Sequence, residues 1–392
     1  MNRAPRSSAS RGSTSRRALF VARRALLVGL AAALAGCGVR GDDPPRGLAA
    51  PEEALRGEAA GYARALAPRP FAFPRDHGPH PEFRTEWWYV TGNLRAADGR
   101  RFGFQLTFFQ VALAPDAPAR GSAFATRHAV MAHFALTDVA AGRFRAAQRL
   151  ERAAAGLAGA RGAPFAVWLD DWRLASLGAG FLPLRVAAAE GDAAIDLVLE
   201  EGKPPTPQGD RGLSRKGPGE GNASFYYSMT RLPARGVVRV AGRSFDVRGA
   251  AWLDREWSTS ALGPDVAGWD WFALQLDDGR DVMFYRLRRK DGADDPLSAG
   301  SVVGADGRAA RLSAADVSVT PLRFWTSPTT GARYPAAWRF AAPSRGIDVE
   351  VRAALDAQEL TGIVDYWEGA VDASGSARGV GYVEMTGYAA RR

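Results

Sequence analysis

Hydrophobic and polar residues alternate along most of the chain from about residue 70 onwards. In the stretch RFGFQLTF (residues 101–108), every second residue is phenylalanine or leucine. A period of two is typical of a β-strand with one buried face, and similar short segments recur to the C terminus. Tight-turn pairs separate several of these segments: Asp98-Gly99, Ala241-Gly242, Asp278-Gly279 and Asp306-Gly307. The pattern predicts an all-β, antiparallel fold.

One segment before the strands has a different pattern. Four apolar residues there fall on one face of a helix: Leu55, Ala59, Tyr62 and Leu66. Pro51 suits the first position of this helix, and Pro68 ends it. We therefore predict a short helix within residues 37–70, preceded by a Pro- and Gly-rich tether.

Two parts of the chain open alike. Residues 87–100 follow the pattern W-x-Y-x3-N-L-x3-D-G-R, and residues 269–280 follow W-x-W-x3-Q-L-x-D-G-R. Each part also closes on Tyr-x-x-Met-Thr, at residues 226–230 and 382–386. This self-similarity predicts two tandem β domains of related design. Their expected bounds are residues 71–248 and 249–392.

The basic excess of the chain is confined to its N terminus. The formal net charge is +9, but residues 1–36 hold seven arginines and no acidic residue. The remainder is nearly neutral and has no basic block that could follow a phosphate backbone. The charge pattern therefore argues against a nucleic-acid partner.

The same N-terminal segment resembles a lipoprotein signal peptide, residues 1–36. Its arginines precede an apolar stretch at residues 25–35, too short to span a bilayer, and the sequence Leu34-Ala35-Gly36-Cys37. Cleavage there makes Cys37 the N terminus, where several acyl chains give a stable membrane anchor. Because Gly38 rather than an acidic residue follows, we expect the periplasmic face of the outer membrane. The alternative is a free cysteine in an ordinary leader.

The segment DREWS contains two acids that share one face of a strand. Asp254 and Glu256 project to the same side as Trp252, while Arg255 projects to the other side. If the first side is a barrel interior, desolvation and like-charge repulsion keep one acid protonated at neutral pH. A neutral buried carboxyl can act as a general acid. The alternative is a structural network in which both acids pair with arginines from other strands.

Acids also lie beside tryptophans in TEWWY and YWEG, at Glu86 and Glu368. They either line a pocket or face water while the tryptophans fill the core. The chain has 11 Trp, 9 Tyr and 19 Phe, which is more rigid apolar area than two small domains need. This favours an apolar cavity with a few polar points.

Other chemistries lack their sequence patterns. The chain has four histidines, and His128 and His133 fall on opposite faces of a strand, so we predict no metal site. Neither a G-x-S-x-G elbow nor a glycine-rich phosphate loop is present in the sequence. Residues 203–222 have no periodic signal and are either a lid or binding loop, or disordered.

Six motifs together resemble one known family: TEWWYVTGNL, AHFALTD, YYSMTRL, AWLDREWSTSALG, GWDWFALQLDDGR and YWEGAV. On these motifs the chain resembles the AttH-like, carotenoid 1,2-hydratase-related family, often labelled predicted secreted hydrolases. The resemblance runs from about residue 70 to the C terminus. It implies two lipocalin-like barrels in tandem.

The resemblance also implies a function. Members similar to the hydratases add water to a terminal isoprenoid double bond without a cofactor, which needs a proton donor and aromatic faces that stabilise a cation. Asp254 falls at the position of their proposed acid, although Leu253 and Arg255 replace the histidines that flank it in the hydratases. AttH-like members also occur beside transporter components. The alternative is therefore a non-catalytic lipid carrier that works with an ABC-type transporter.

The predicted site combines the acids with residues of the same motifs. Asp254 and Glu256 are the predicted catalytic residues. The predicted ligand-binding residues are Glu86, Trp87, Trp88, Asn93, His133, Tyr226, Tyr227, Trp252, Trp271, Gln275, Tyr285, Trp367 and Glu368. We expect a bulky apolar ligand, an isoprenoid or an acyl lipid, in or between the barrels, and no cofactor.

Overall fold

The computed structural model describes residues 59–116, 121–259 and 261–389. Thirteen strands form the first sheet: β1 Thr85–Ala96, β2 Arg101–Ala112, β3 His128–Asp138, β4 Arg143–Arg152, β5 Ala158–Gly162, β6 Phe165–Leu169, β7 Trp172–Ser176, β8 Leu184–Glu190, β9 Ala193–Leu199, β10 Thr206–Pro207, β11 Leu213–Arg215, β12 Ala223–Val240 and β13 Arg243–Ser258.

Ten strands form the second sheet: β14 Val266–Leu276, β15 Asp281–Arg289, β16 Ala299–Val303, β17 Ala309–Ser313, β18 Ser318–Thr326, β19 Arg333–Ala342, β20 Ile347–Ala353, β21 Glu359–Leu360, β22 Tyr366–Gly375 and β23 Gly379–Met385. Three short 3-10 helices complete the described elements: Arg75–His77, Ala314–Asp316 and Pro343–Arg345. No described helix is long and apolar enough to cross a membrane.

The two sheets have the same strand order. The first runs β4-β3-β2-β1-β13-β12-β9-β8-β7-β6-β5, and the second runs β17-β16-β15-β14-β23-β22-β20-β19-β18. In each, the first strand lies between the second strand and the last, and in the first sheet β3 and β4 curl round to contact β6. The predicted all-β fold with two tandem barrels is therefore confirmed.

The opening motif, but not the closing motif, follows this duplication. The opening motif begins on the equivalent strands β1 and β14, and its Asp-Gly turns have positive φ at Gly99 (84°) and Gly279 (87°). The closing motif lies on β12 in the first sheet but on β23 in the second. These strands occupy different places in the order, so the closing match is not part of the repeat.

The first domain extends further than the sequence predicts. The expected boundary at residues 248 and 249 falls inside β13, which pairs with β1 as far as Ser258. The strand stays extended through the segment DREWS, where each residue pairs with one of β1. The second sheet begins at Val266, and the junction therefore lies between these two residues.

The predicted N-terminal helix is not present where the structure describes it. Residues 59–66 form a turn followed by irregular chain, because the backbone of Ala63 bonds to other segments: its N–H donates to the Glu82 carbonyl, and its carbonyl accepts from the Thr259 hydroxyl. Leu66 is exposed. Residues 51–58, the signal peptide and Cys37 lie outside the described residues.

Apolar side chains form three large clusters. One fills the first barrel and includes Trp88 and Val90, and a second fills the other barrel and includes Trp338. The third lies between the sheets and includes Tyr89 and Trp271. Strand β1 thus buries both faces, which explains why its motif reads as an almost continuous apolar run.

Candidate active site

A cavity lies between the outer faces of the two sheets. About 100 Å³ of it is accessible to a molecule the size of water. Residues of β1, β2, β3, β12 and β13 line one wall, and residues of β14, β15, β22 and β23 line the other. Its aromatic lining residues are Trp87, Tyr89, Phe109, Tyr226, Trp269, Trp271, Tyr285 and Tyr366. The cavity is therefore apolar and shared by both domains, and neither barrel interior forms it.

Of the three acids that line the cavity from the first sheet, Asp254 alone forms no ion pair with a described residue. Its side chain is 4% exposed; its Oδ2 accepts a hydrogen bond from the Tyr226 hydroxyl (2.6 Å), and its Oδ1 accepts one from the Trp252 Nε1–H (2.7 Å). Burial raises the pKa of Asp254 to about 7, opposed by a hydrogen bond with the Ser228 side chain and by these two hydrogen bonds, and aided by the charge of Glu256. A carboxyl with this pKa carries a proton in a large fraction of molecules at neutral pH.

Two aromatic residues orient the hydroxyl that faces Asp254. The Trp271 Nε1–H donates to the Tyr226 oxygen (3.2 Å), and the Tyr226 hydroxyl proton then points to Asp254. Trp271 belongs to β14 and Tyr226 to β12, so this short chain of hydrogen bonds joins the two sheets at the acid. The position of the acid therefore depends on both domains.

Glu256 is held in a buried ion pair. Its Oε1 contacts the Nζ of Lys216, which also donates to the Ser224 hydroxyl (3.2 Å). The ammonium lies 5.3 Å from the Tyr226 ring centre and 5.4 Å from that of Tyr285. Because Lys216 compensates its charge, Glu256 is suited to tune the field at Asp254 rather than to donate a proton, and its predicted role as a second acid changes accordingly.

A second acid with a raised pKa faces the cavity from the other sheet. Glu384 lies opposite Trp271 on β14, just as Asp254 lies opposite Tyr89 on β1. Its Oε1 accepts from the Trp269 Nε1–H (2.6 Å). Burial raises the pKa of Glu384 to about 7, against the effect of that hydrogen bond. Sequence reasoning missed this residue, although the repeat of the opening motif marks its strand partner.

Glu86 also lines the cavity, which was one of the two alternatives for this residue, but it is paired with a cation. Its Oε2 contacts the guanidinium of Arg255 and accepts from the His80 N–H (2.9 Å), and its Oε1 accepts from the Gln110 amide (2.8 Å). Burial acts to raise the pKa of Glu86, but the charge of Arg255 and these bonds outweigh it and lower the pKa. Glu86 borders the cavity as an ionised, fully paired carboxylate.

Several predicted ligand contacts lie outside the cavity. Trp88 and Tyr227 project into the first barrel, where they bond to the backbone and the ring of His77, and Trp367 fills the second barrel. Asn93 and Gln275 tie the sheets together: the Asn93 amide donates to a β23 carbonyl (3.1 Å), and that of Gln275 to a β13 carbonyl (3.2 Å). A ligand in the cavity cannot contact these five residues, and we correct the prediction for them.

The other predicted residues are at the cavity or immediately behind its wall. Glu86, Trp87, Tyr226, Trp271 and Tyr285 line it with both predicted acids. Trp252 bonds to Asp254 from behind the wall.

His133 and Glu368 are also behind the wall, buried beside Tyr366.

The loop at residues 203–222 has a defined structure and contributes to the cavity wall. Strands β10 and β11 pair with β12, and the loop then delivers Lys216 to the cavity. Its lack of a periodic pattern concealed this lysine, because a single buried cation has no sequence signal apart from its carboxylate partner. Among the described residues, no group of three or more His, Cys, Asp or Glu side chains is placed to hold a metal ion.

Comparisons with known proteins agree with this architecture. The model of the AttH-like family matches residues 64–388. A crystal structure of a candidate AttH from Nitrosomonas europaea is 36% identical, with a TM-score of 0.74, and the match covers 83% of this chain and 99% of that one.

A second solved structure, kievitone hydratase from Nectria haematococca, is 15% identical with a TM-score of 0.64. The match covers 84% of this chain and 97% of that one, and it shows a shared fold. No protein with a curated description matches the chain. Because the family model spans both sheets and the site between them, the chain belongs to the AttH-like family.

Proposed function

We propose that this protein binds a bulky apolar molecule between its two barrels and adds water to a carbon–carbon double bond of that molecule. The observation that carries the proposal is Asp254: a carboxyl with a pKa of about 7, buried in an aromatic cavity and hydrogen-bonded only by neutral donors. Such a group is a proton donor matched to neutral pH. The fold that the protein shares with a protein named kievitone hydratase supports the same class of reaction.

The reaction balances without a further reagent. Asp254 gives its proton to one carbon of the double bond, and the π electrons form the new C–H bond. The other carbon becomes a cation, which the ring faces of Trp87 and Trp271 stabilise. Water then forms the C–O bond, and the proton that it loses returns to the carboxylate of Asp254.

The aromatic lining indicates the substrate class. Its large rings offer apolar area and cation-stabilising faces, and its polar groups are few. An isoprenoid with a branched double bond fits these properties, because protonation of such a bond gives a tertiary cation. An acyl lipid fits the apolar lining but gives a less stable cation.

A labelling experiment tests this proposal. The soluble protein would be incubated in oxygen-18 water with dihydromyrcene, a small isoprenoid whose hydrate is dihydromyrcenol. We expect labelled dihydromyrcenol by mass spectrometry, at a rate proportional to protein concentration. Binding of the probe without any labelled alcohol would contradict the proposal and favour the second candidate.

That second candidate is a non-catalytic carrier of an apolar molecule or lipid, working with an ABC-type transporter. The cavity alone favours it, because a carrier needs the apolar lining but no proton donor. Lipids that copurify with the soluble form, identified by native mass spectrometry, would name its cargo.

We also propose that the protein works on the cell envelope as a lipoprotein, anchored through Cys37 at the periplasmic face of the outer membrane. The support is the sequence Leu34-Ala35-Gly36-Cys37 after a short apolar stretch. A Cys37→Ser variant should lose the acylated mass and leave the membrane fraction. If both stay unchanged, the anchor is elsewhere.

A further inference from the structure

One place between the sheets holds buried polar atoms that form no well-aligned hydrogen bond with a described residue. Five atoms share this property: the Tyr89 hydroxyl, Gln105 Oε1, His133 Nε2 and both carboxyl oxygens of Glu368. All four side chains are at least nine-tenths buried. A buried polar group without a hydrogen bond costs about 1–3 kcal/mol. So many at one place indicate a site that is completed by a bound polar group.

The Tyr366 hydroxyl connects these residues to the cavity. It accepts a hydrogen bond from the Gln105 amide (2.9 Å) and lies 2.8 Å from His133 Nδ1. Tyr366 and Tyr89 both line the cavity, and the Glu368 carboxyl lies beside their hydroxyls without forming a hydrogen bond of ordinary geometry. The polar place therefore adjoins the apolar cavity.

The charge state of the place is neutral. Burial, and then the charge of Glu384, raise the pKa of Glu368 well above its usual range, although the hydroxyls of Tyr89 and Tyr366 act to lower it. Burial also lowers the pKa of His133 to about 3. A neutral carboxylic acid and two phenols offer both donors and acceptors but no counter-charge for an ion. They suit a neutral oxygen that both donates and accepts.

We propose that Tyr89, Tyr366 and Glu368 form a subsite for one neutral oxygen: the attacking water before the reaction and the hydroxyl of the product after it. The inference rests on the proposed hydration, and it adds where the water comes from. In the step described above, the C–O bond forms from this oxygen, so water and product hydroxyl occupy the same place in turn. The subsite thus favours a tertiary alcohol over the alkene from which it forms.

A binding comparison tests the subsite. Dihydromyrcene and dihydromyrcenol differ by one molecule of water, and both can be titrated against tryptophan fluorescence. The dissociation constant of dihydromyrcene divided by that of dihydromyrcenol gives a ratio from which the contribution of the shared apolar skeleton cancels. We expect this ratio to fall about fivefold in Tyr89→Phe and about tenfold in Glu368→Leu. Each change removes one or two hydrogen bonds to the alcohol and leaves binding of the alkene unaffected.

Tyr227→Phe is the matched control, because it also removes a buried tyrosine hydroxyl but inside the first barrel. It should leave the ratio unchanged. Tyr89→Phe keeps the ring that lines the cavity, so this variant tests the subsite even if Glu368→Leu does not fold.

The outcomes separate the subsite from the function on which it rests. A ratio that falls in Tyr89→Phe and not in Tyr227→Phe supports the subsite. An unchanged ratio in a folded Tyr89→Phe variant that still binds both probes overturns the subsite and leaves the proposed function standing. If the unaltered protein binds neither probe, both the proposed function and the subsite are overturned.

Discussion

At the scale of the residue, the acids at the site differ only in their partners. Glu86 faces a guanidinium and Glu256 faces an ammonium, whereas Asp254 accepts hydrogen bonds from an indole and a phenol. A neutral donor stabilises a carboxylate less than a cation does, so burial dominates at Asp254, whereas the charge of Arg255 helps to outweigh it at Glu86. This contrast makes Asp254 the proton donor in our account.

The raised pKa of Asp254 predicts a characteristic dependence of stability on pH. Its folded pKa of about 7 lies above the ordinary value of 3.8, so folding takes up a proton at pH values between these two. Ionising the buried carboxyl lowers the free energy of unfolding. This loss grows as the pH rises through the window and is complete above it. An Asp254→Asn variant has no such loss.

The variant should therefore gain free energy of unfolding relative to the unaltered protein as the pH rises. We expect a gain of roughly 3 kcal/mol between about pH 4 and about pH 8, measured by urea denaturation. A difference that stays constant over this window would show that the pKa of Asp254 is not raised.

The buried pair of Lys216 and Glu256 predicts a large loss when only one partner is removed. Lys216→Met leaves a carboxylate buried without compensation and should cost about 3–5 kcal/mol of unfolding free energy. Adding Glu256→Gln should restore part of this loss, because no buried charge then remains. Chemical denaturation measures both.

The half-exposed pair of Arg185 and Asp196 supplies the control. Arg185→Met should cost at most about 1 kcal/mol, since solvent screens this pair. Equal losses of unfolding free energy in Lys216→Met and Arg185→Met would mean that burial does not strengthen the pair of Lys216 and Glu256.

At the scale of the element, the site depends on strands that bury both faces. The period of two predicts which residues of β1 share a face, and the structure follows it: Trp88 and Val90 face the barrel, while Trp87 and Tyr89 face the cavity. The period does not predict which face meets the ligand, because both are apolar here. The sequence therefore assigned the same role to Trp87, which lines the cavity, and to Trp88, which packs inside the barrel.

Adjacent tryptophans on β1 give a direct test of this assignment. Trp87→Leu should weaken binding of dihydromyrcenol about tenfold, through loss of a ring that lines the cavity, and should change stability little. Trp88→Leu should cost about 2–5 kcal/mol of unfolding free energy, because it opens a void in the barrel core. The affinity of Trp88→Leu for dihydromyrcenol should equal that of the unaltered protein.

Fluorescence titration and urea denaturation of both variants measure these effects. If Trp88→Leu weakened binding as much as Trp87→Leu in the folded state, the two faces of β1 would be assigned wrongly.

At the scale of the whole molecule, the repeat of the opening motif predicts two domains, and the structure confirms that each fills its own barrel. The sequence left open whether the ligand lies in a barrel or between the two barrels, and the cavity of the structure lies between them. That arrangement depends on contacts between residues far apart in the chain, such as Trp271 with Tyr226. Glu384 was missed for the same reason, since no local pattern places it opposite Asp254 across the cavity.

The central claim is that Asp254 donates a proton to a molecule held between the two barrels, and the Asp254→Asn variant tests it most directly. The change removes the acidic proton and nearly preserves the shape of the side chain. Binding of dihydromyrcene, followed by fluorescence, should stay within about tenfold of the unaltered protein. Formation of labelled dihydromyrcenol should fall about a hundredfold or more, the usual contribution of a positioned general acid. Full activity in the asparagine variant would contradict the claim.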